Sequence, residues 1–192
     1  MRSVLLRFFV AILLVLFAAL VHAADQPSDD APMSRDALAQ LVKAQFGDKF
    51  RIDPMPGSST VLVTGDFDND GVEDAVIVTR CKEPLADQLK FGYRVIDPLD
   101  TYYGWGKPED TVRFTSADPD RARVLLVIHS WRLPQPKAKF AVINVPFTSL
   151  SVKDTTIKKK PHTVISASDY DTDITYLFWD GKRWKYEPGA SE

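Results

Sequence analysis

The apolar positions of this chain follow two different periods, and the switch between them sets out its architecture. Ala37, Leu38, Leu41, Val42 and Phe46 return every three or four residues, which places them on one face of an α-helix. Ser34 stands before this run as an N-cap and Gly47 behind it as a C-terminal stop, so the pattern predicts one amphipathic helix over residues 35–46. Beyond Gly47 the apolar residues come in short β-branched runs, too brief for helices. Val61-Leu62-Val63 and Ala75-Val76-Ile77-Val78 read as strands. So do Phe50–Asp53, Gly92–Ile96, Val112–Thr115, Arg123–His129, Lys139–Val145, Thr148–Val152, Thr163–Ala167, Ile174–Trp179 and Arg183–Tyr186. Asp70-Gly71 and Asp180-Gly181 suit tight reversals between neighbouring runs. One helix followed by many strands predicts an α+β fold with a mostly antiparallel β-sheet. The unbroken apolar run Ala75–Val78 belongs at its centre, covered on both faces, with the helix as one cover.

The N-terminus has a different character. Arg2 and Arg7 lead into 14 uninterrupted apolar residues, Phe8–Val21, and Val21-His22-Ala23 then offers a cleavage site before Ala24. A membrane-spanning helix needs about 20 apolar residues. Residues 1–23 therefore read as a signal peptide, with an uncleaved anchor as the alternative. Residues 24–33, rich in Asp and Pro, read as a flexible linker, and 34–192 as a single domain. The expected product is secreted or periplasmic, with no stable membrane span after cleavage. Losing Arg2 and Arg7 takes the formal charge from −2 to −4, which gives no general attraction for nucleic acid. Cys81 is the only cysteine, so no intramolecular disulfide can form, and its place at the end of an apolar run suits a small buried residue.

Candidate chemistry concentrates in Asp66-Phe67-Asp68-Asn69-Asp70-Gly71-Val72-Glu73-Asp74. Carboxylates at its first, third, fifth and ninth positions, with glycine at the sixth, are how a short loop wraps a hard cation that takes six to eight oxygen ligands. An EF-hand would need flanking helices and a glutamate at the twelfth position, where this chain has Ile77 between β-branched flanks. Gly65 to Gly71 followed by Asp74 to Val78 instead resembles the calcium loop of a single FG-GAP or VCBS-type (integrin-like) repeat, over residues 61–80. The resemblance implies Ca²⁺ as a structural cofactor, side-chain oxygens from Asp66, Asp68, Asp70 and Asp74, the backbone carbonyl of Val72 as a further ligand, and Phe67 and Val72 pinning the loop to the core. Those families close several repeats into a propeller. This chain has one, so a full propeller is not expected. The alternative is an Asn-Asp-Gly hairpin turn with solvated acids.

Elsewhere the signals are weaker. Tyr102-Tyr103-Gly104-Trp105-Gly106 is a glycine-flanked aromatic run that reads as a loop, and Tyr102, Tyr103 and Trp105 are candidates for stacking on a glycan or an envelope or extracellular protein. Phe178, Trp179, Trp184 and Tyr186 flank the last reversal and suit cross-strand pairing. Asp169, Asp171 and Asp173 alternate without a glycine and read either as solvated side chains or as a second cation site. Lys158-Lys159-Lys160 reads as a solvated turn or as a contact for an anionic partner. His129 and His162 show no metal-ligand spacing, and the chain has neither a Gly-x-Ser-x-Gly elbow nor a phosphate-binding glycine loop. The expectation is an exported calcium-binding domain with a binding or structural role at the cell envelope or outside the cell. The alternative is a secreted hydrolase using paired carboxylates, for which Glu109, Asp110, Asp169 and Asp171 are available.

Overall fold

Six strands form the first of two sheets, and its middle pair is apolar on both sides. The computed structural model describes residues 33–55, 57–104, 123–169 and 173–189. The fold lies in Asp36–Glu192; of the chain's other compact unit, Met1–Arg35, only residues 33–35 are described. The expected signal peptide, the linker up to residue 32, the strand Val112–Thr115 and Trp105 lie outside the described residues.

Helix α1 runs Arg35–Phe46. Strands β1 (Arg51–Ile52) and β2 (Leu62–Gly65) both pair antiparallel with β3 (Asp74–Arg80). The short helix α2 (Gln88–Phe91), strand β4 (Arg94–Ile96) and helix α3 (Pro98–Tyr103) follow, then β5 (Arg123–His129) and β6 (Ala138–Val142). The sheet order is β1-β3-β5-β6-β4, with β2 also on β3, and among the described residues only the β4–β6 pair is parallel. The second sheet is an antiparallel meander of β7 (Ser149–Ile157), β8 (Lys160–Asp169), β9 (Asp173–Trp179) and β10 (Trp184–Pro188). The protein is thus α+β, mostly antiparallel, and its sheets do not close into a propeller. Two short helices, α2 and α3, join the expected one. Tyr102 and Tyr103 belong to α3, not to a loop. Asp97 caps that helix by accepting from Asp100 N (3.1 Å), and left-handed Gly104 ends it.

The period of two along β3 and β5 explains the layering. On one face Ala75, Ile77, Val124, Leu126 and Ile128 pack with Leu38, Val42 and Phe46 of α1. On the other, Val76, Val78, Leu125 and Val127 pack with Ile165, Ala167, Leu177 and Trp184 of the second sheet. Helix, sheet and sheet therefore stack in that order, and β3 has the central, doubly covered place expected of it. Lys139 interrupts the helix-side face, where its ammonium donates to the Gln45 and Phe91 carbonyls (3.0 and 2.5 Å) at the ends of α1 and α2. Burial holds that ammonium below its ordinary range. Cys81 is buried, and burial pushes its thiol up. Gly65 sits at a close approach: a Cβ there would lie 3.2 Å from Val152 Cγ1 and 3.3 Å from the Phe67 ring, so a larger residue would need those side chains to give way.

Two reversals carry testable energies. The β7–β8 turn puts Lys158 and Lys159 at φ 51° and 67°, the conformation that type I′ turns fill with Asn-Gly. The double substitution Lys158→Asn with Lys159→Gly should raise stability by about 1 kcal/mol, measured by urea unfolding. In the β9–β10 turn Asp180 accepts from the N–H groups of Lys182 and Arg183 (both 2.9 Å) and pairs with Lys185 (2.8 Å). Partial burial would raise its carboxyl, but Lys185 and the two N–H groups outweigh it and hold it down at about 2. A carboxylate held low in the folded state stabilises above its unfolded value and loses that contribution as the pH falls through the folded one. The melting-temperature gap between wild type and Asp180→Ala should therefore be constant above about pH 5 and close between about pH 4 and pH 2.

Candidate metal centre

The loop from Asp66 to Glu73 joins β2 to β3, which pair up to Gly65 and Asp74. Its own carboxylates organise the turn. Asp66 accepts from Asp70 N (3.0 Å) and Gly71 N (2.9 Å), and Asp70 accepts from Val72 N (2.9 Å). Asn69 and Gly71 take positive φ, 56° and 82°, a conformation asparagine tolerates and glycine adopts freely. Phe67 is fully buried, with its ring 5.9 Å from that of Trp184. Val72 is only half-buried, so Phe67 carries most of the anchoring.

A second loop, residues 130–137 between β5 and β6, closes over the first. Ser130 N donates to Asp74 Oδ1 (2.8 Å), while Phe67 N donates to Asp74 Oδ2 (3.0 Å). Burial raises the Asp74 carboxyl above its ordinary value despite these bonds. Glu73 accepts from Trp131 Nε1 (3.0 Å) and Arg132 Nε (2.8 Å). Asp68 Oδ2 is shared by His129 Nδ1 (2.9 Å) and Lys137 Nζ (2.8 Å), and Lys137 Nζ also reaches Asp70 Oδ2 (2.9 Å). Burial would raise the Asp68 carboxyl, but the bonds from Lys137 and His129 outweigh it and hold it below its ordinary range. With Asp68 ionised, Nδ1 of His129 carries the proton and donates it. The imidazole lies among three aromatic rings, Phe140, Trp179 and Trp184, at 5.4, 5.1 and 5.8 Å.

Two groups of ligand atoms result. Asp66, Asp68 and Asp70 form one, and Asp68, Asp74 and His129 the other, the atoms of each lying within 4.8 Å of one another. Two ligands on opposite sides of a calcium ion at about 2.4 Å are about 4.8 Å apart, so either group fits within one coordination sphere. Either could hold a metal ion. They differ in access, since Asp74 and His129 are buried whereas Asp66 is half-buried and Asp70 exposed. The Asp68 side chain is 3 % exposed, and its Oδ1 is buried with no hydrogen-bond partner among the described residues. A buried carboxylate oxygen left in this state is costly unless something else satisfies it.

Of the residues expected from the sequence, Asp66, Asp68 and Asp70 converge. Asp74 faces inward, into the group with His129, and Val72 contributes an N–H bond to Asp70. The structure adds His129, Ser130, Trp131, Arg132 and Lys137. Only their positions after the buried run Val124–Ile128, with two cations close to a histidine and a tryptophan, hinted at this role. Tyr102 and Tyr103 are about half exposed, with rings 5.1 Å apart, and Tyr102 also stands 4.8 Å from Tyr186. Asp169 pairs with Asp173 across β8 and β9, while Asp171, Glu109 and Asp110 lie outside the described residues. A groove of about 650 Å³ between Lys49, Arg51, Asp53, Arg80 and Glu83 is lined by charges that pair with one another, Lys49 with Glu83 and Arg80 with Asp53 (2.9 and 2.8 Å). Comparison of the chain with protein-family models, with curated proteins and with solved structures finds no match.

Asp74 holds the two loops together by accepting one backbone N–H from each. Asp74→Ala leaves two N–H groups without their acceptor and should cost about 2–4 kcal/mol in urea unfolding. The loss should be the same in EDTA and in calcium.

Proposed function

We propose that this is an exported calcium-binding domain with a binding or structural role at the cell envelope or outside the cell. The observation that carries the reading is the convergence of Asp66, Asp68 and Asp70 at the accessible side of the loop, with a buried Asp68 oxygen that no other described residue satisfies. All three are hard oxygen donors, the preference of Ca²⁺ over softer metals. The loop's likeness to one FG-GAP or VCBS-type repeat points the same way. Export rests on the basic and apolar N-terminal residues. No helix among the described residues is long and apolar enough to cross a membrane. The half-exposed Tyr102 and Tyr103 offer a stacking surface for a glycan or a protein partner. The ion's role is structural in this reading, since it would tie the β2–β3 reversal to a core already built around Phe67.

The hydrolase alternative would need two acids open to substrate. Of the acids available to it, Glu109, Asp110, Asp169 and Asp171, only Asp169 lies among the described residues.

Melting curves of the protein in EDTA and in millimolar calcium test the proposal. An ion at ten times its dissociation constant stabilises the folded state by about 1.4 kcal/mol, so the melting temperature should rise with calcium. Asp70→Ala should abolish that rise. Equal curves for the wild type in both conditions remove the calcium reading.

A further inference from the structure

The acidic loop already holds a cation, and it is part of the chain. Lys137 Nζ bridges Asp68 Oδ2 and Asp70 Oδ2 at 2.8 and 2.9 Å, so it sits on two of the three carboxylates that converge at the open face. The backbone beneath it is fixed, because Lys137 N donates to His129 O (3.0 Å). Its side chain is not fixed: more than half of it (54 %) is exposed, and its ammonium can swing into water without crossing the core. We propose that Lys137 is a tethered occupant of the cation position, and that a divalent ion enters the loop only by displacing it. This inference rests on the calcium reading above and says how that site is regulated.

Geometry makes the two occupants exclusive. An ion about 2.4 Å from the same two oxygens would lie against the ammonium, and two positive charges at that separation repel strongly. Charge makes the exchange favourable in one direction only when the ion is plentiful. Three carboxylates face one ammonium, so Lys137 leaves the group short of positive charge and a divalent ion supplies more of it. The unfilled oxygen supports the exchange. An ammonium has three protons to donate, and here it leaves Asp68 Oδ1 buried and without a partner among the described residues. An ion that takes six to eight oxygens can use both oxygens of one carboxylate. His129 stays on Asp68 throughout, so the buried carboxylate keeps one partner during the exchange. The loop therefore keeps its shape without calcium, and the affinity for calcium is lowered by whatever holds Lys137 in place.

Calorimetric titration of the full-length protein with CaCl₂ tests this, comparing the wild type, Lys137→Met and Lys137→Arg. Lys137→Met keeps the length of the side chain and removes its charge, and it should bind calcium about tenfold more tightly than wild type. Lys137→Arg should stay near wild type. In EDTA, Lys137→Met should melt below wild type, and calcium should narrow or reverse the gap. A second measurement needs no variant: acylation of Lys137 by an amine-reactive ester, followed by mass spectrometry, should speed up when calcium is added, because the ammonium is released. Equal affinities for wild type and Lys137→Met, or a Lys137 acylation rate unchanged at saturating calcium, overturn the exchange and leave the calcium reading intact. No binding heat with either protein overturns both.

Discussion

Because β3 and β5 carry apolar side chains on both faces, neither can border water, and the protein needs a cover on each side of them. Helix α1 supplies one and the meander β7–β10 the other. The same pairing decides where charge can gather. Ala75 stands opposite Ile128 in the antiparallel register, so Asp74, just before it, and His129, just after its partner, come to the same end of the sheet. The acids of the β2–β3 loop and the cations of the β5–β6 loop meet at the rim of an otherwise apolar sandwich, because that is where the buried strands end.

The acids at this rim are compensated in distinct ways. Asp74 is fully buried and takes backbone N–H groups from both loops. Glu73 takes Trp131 and Arg132, and Asp68 takes His129 and Lys137. Asp66 and Asp70 spend oxygens on the turn's own backbone. Loop shape thus comes largely from hydrogen bonds within the protein, and an added ion would bear on the exposed side. In the aspartate-glycine reversal between Trp179 and Trp184, by contrast, one carboxylate and one lysine suffice.

Much of the fold was legible because local pattern determines it. Helical spacing from Ala37 to Phe46 marks α1, and β-branched runs mark nearly every strand in the described residues, Arg123–His129 to the residue. Asp70-Gly71 and Asp180-Gly181 mark two of the hairpins. The helix α3 was hidden because Tyr102 and Tyr103, beside two glycines, look like a loop, while the signals that make it a helix are the Asp97 cap and Pro98 in its first turn. The acids of the candidate site were legible from their spacing. Their partners were not, since His129, Trp131 and Lys137 have no period or motif of their own and reach the loop only through the β3–β5 register. The inward turn of Asp74 was invisible for the same reason, as Ser130, one of its two donors, is 56 positions away.

That separation has a consequence for the growing chain. The bonds joining the two loops span 56 to 69 positions, so the acidic loop is synthesised well before any residue that neutralises it. Until β5 docks on β3, its carboxylates have only each other, water and free ions for company, and closing so long a segment is what makes such contacts slow to form. The rim of the sandwich can therefore be completed only once the central strands β3 and β5 have paired.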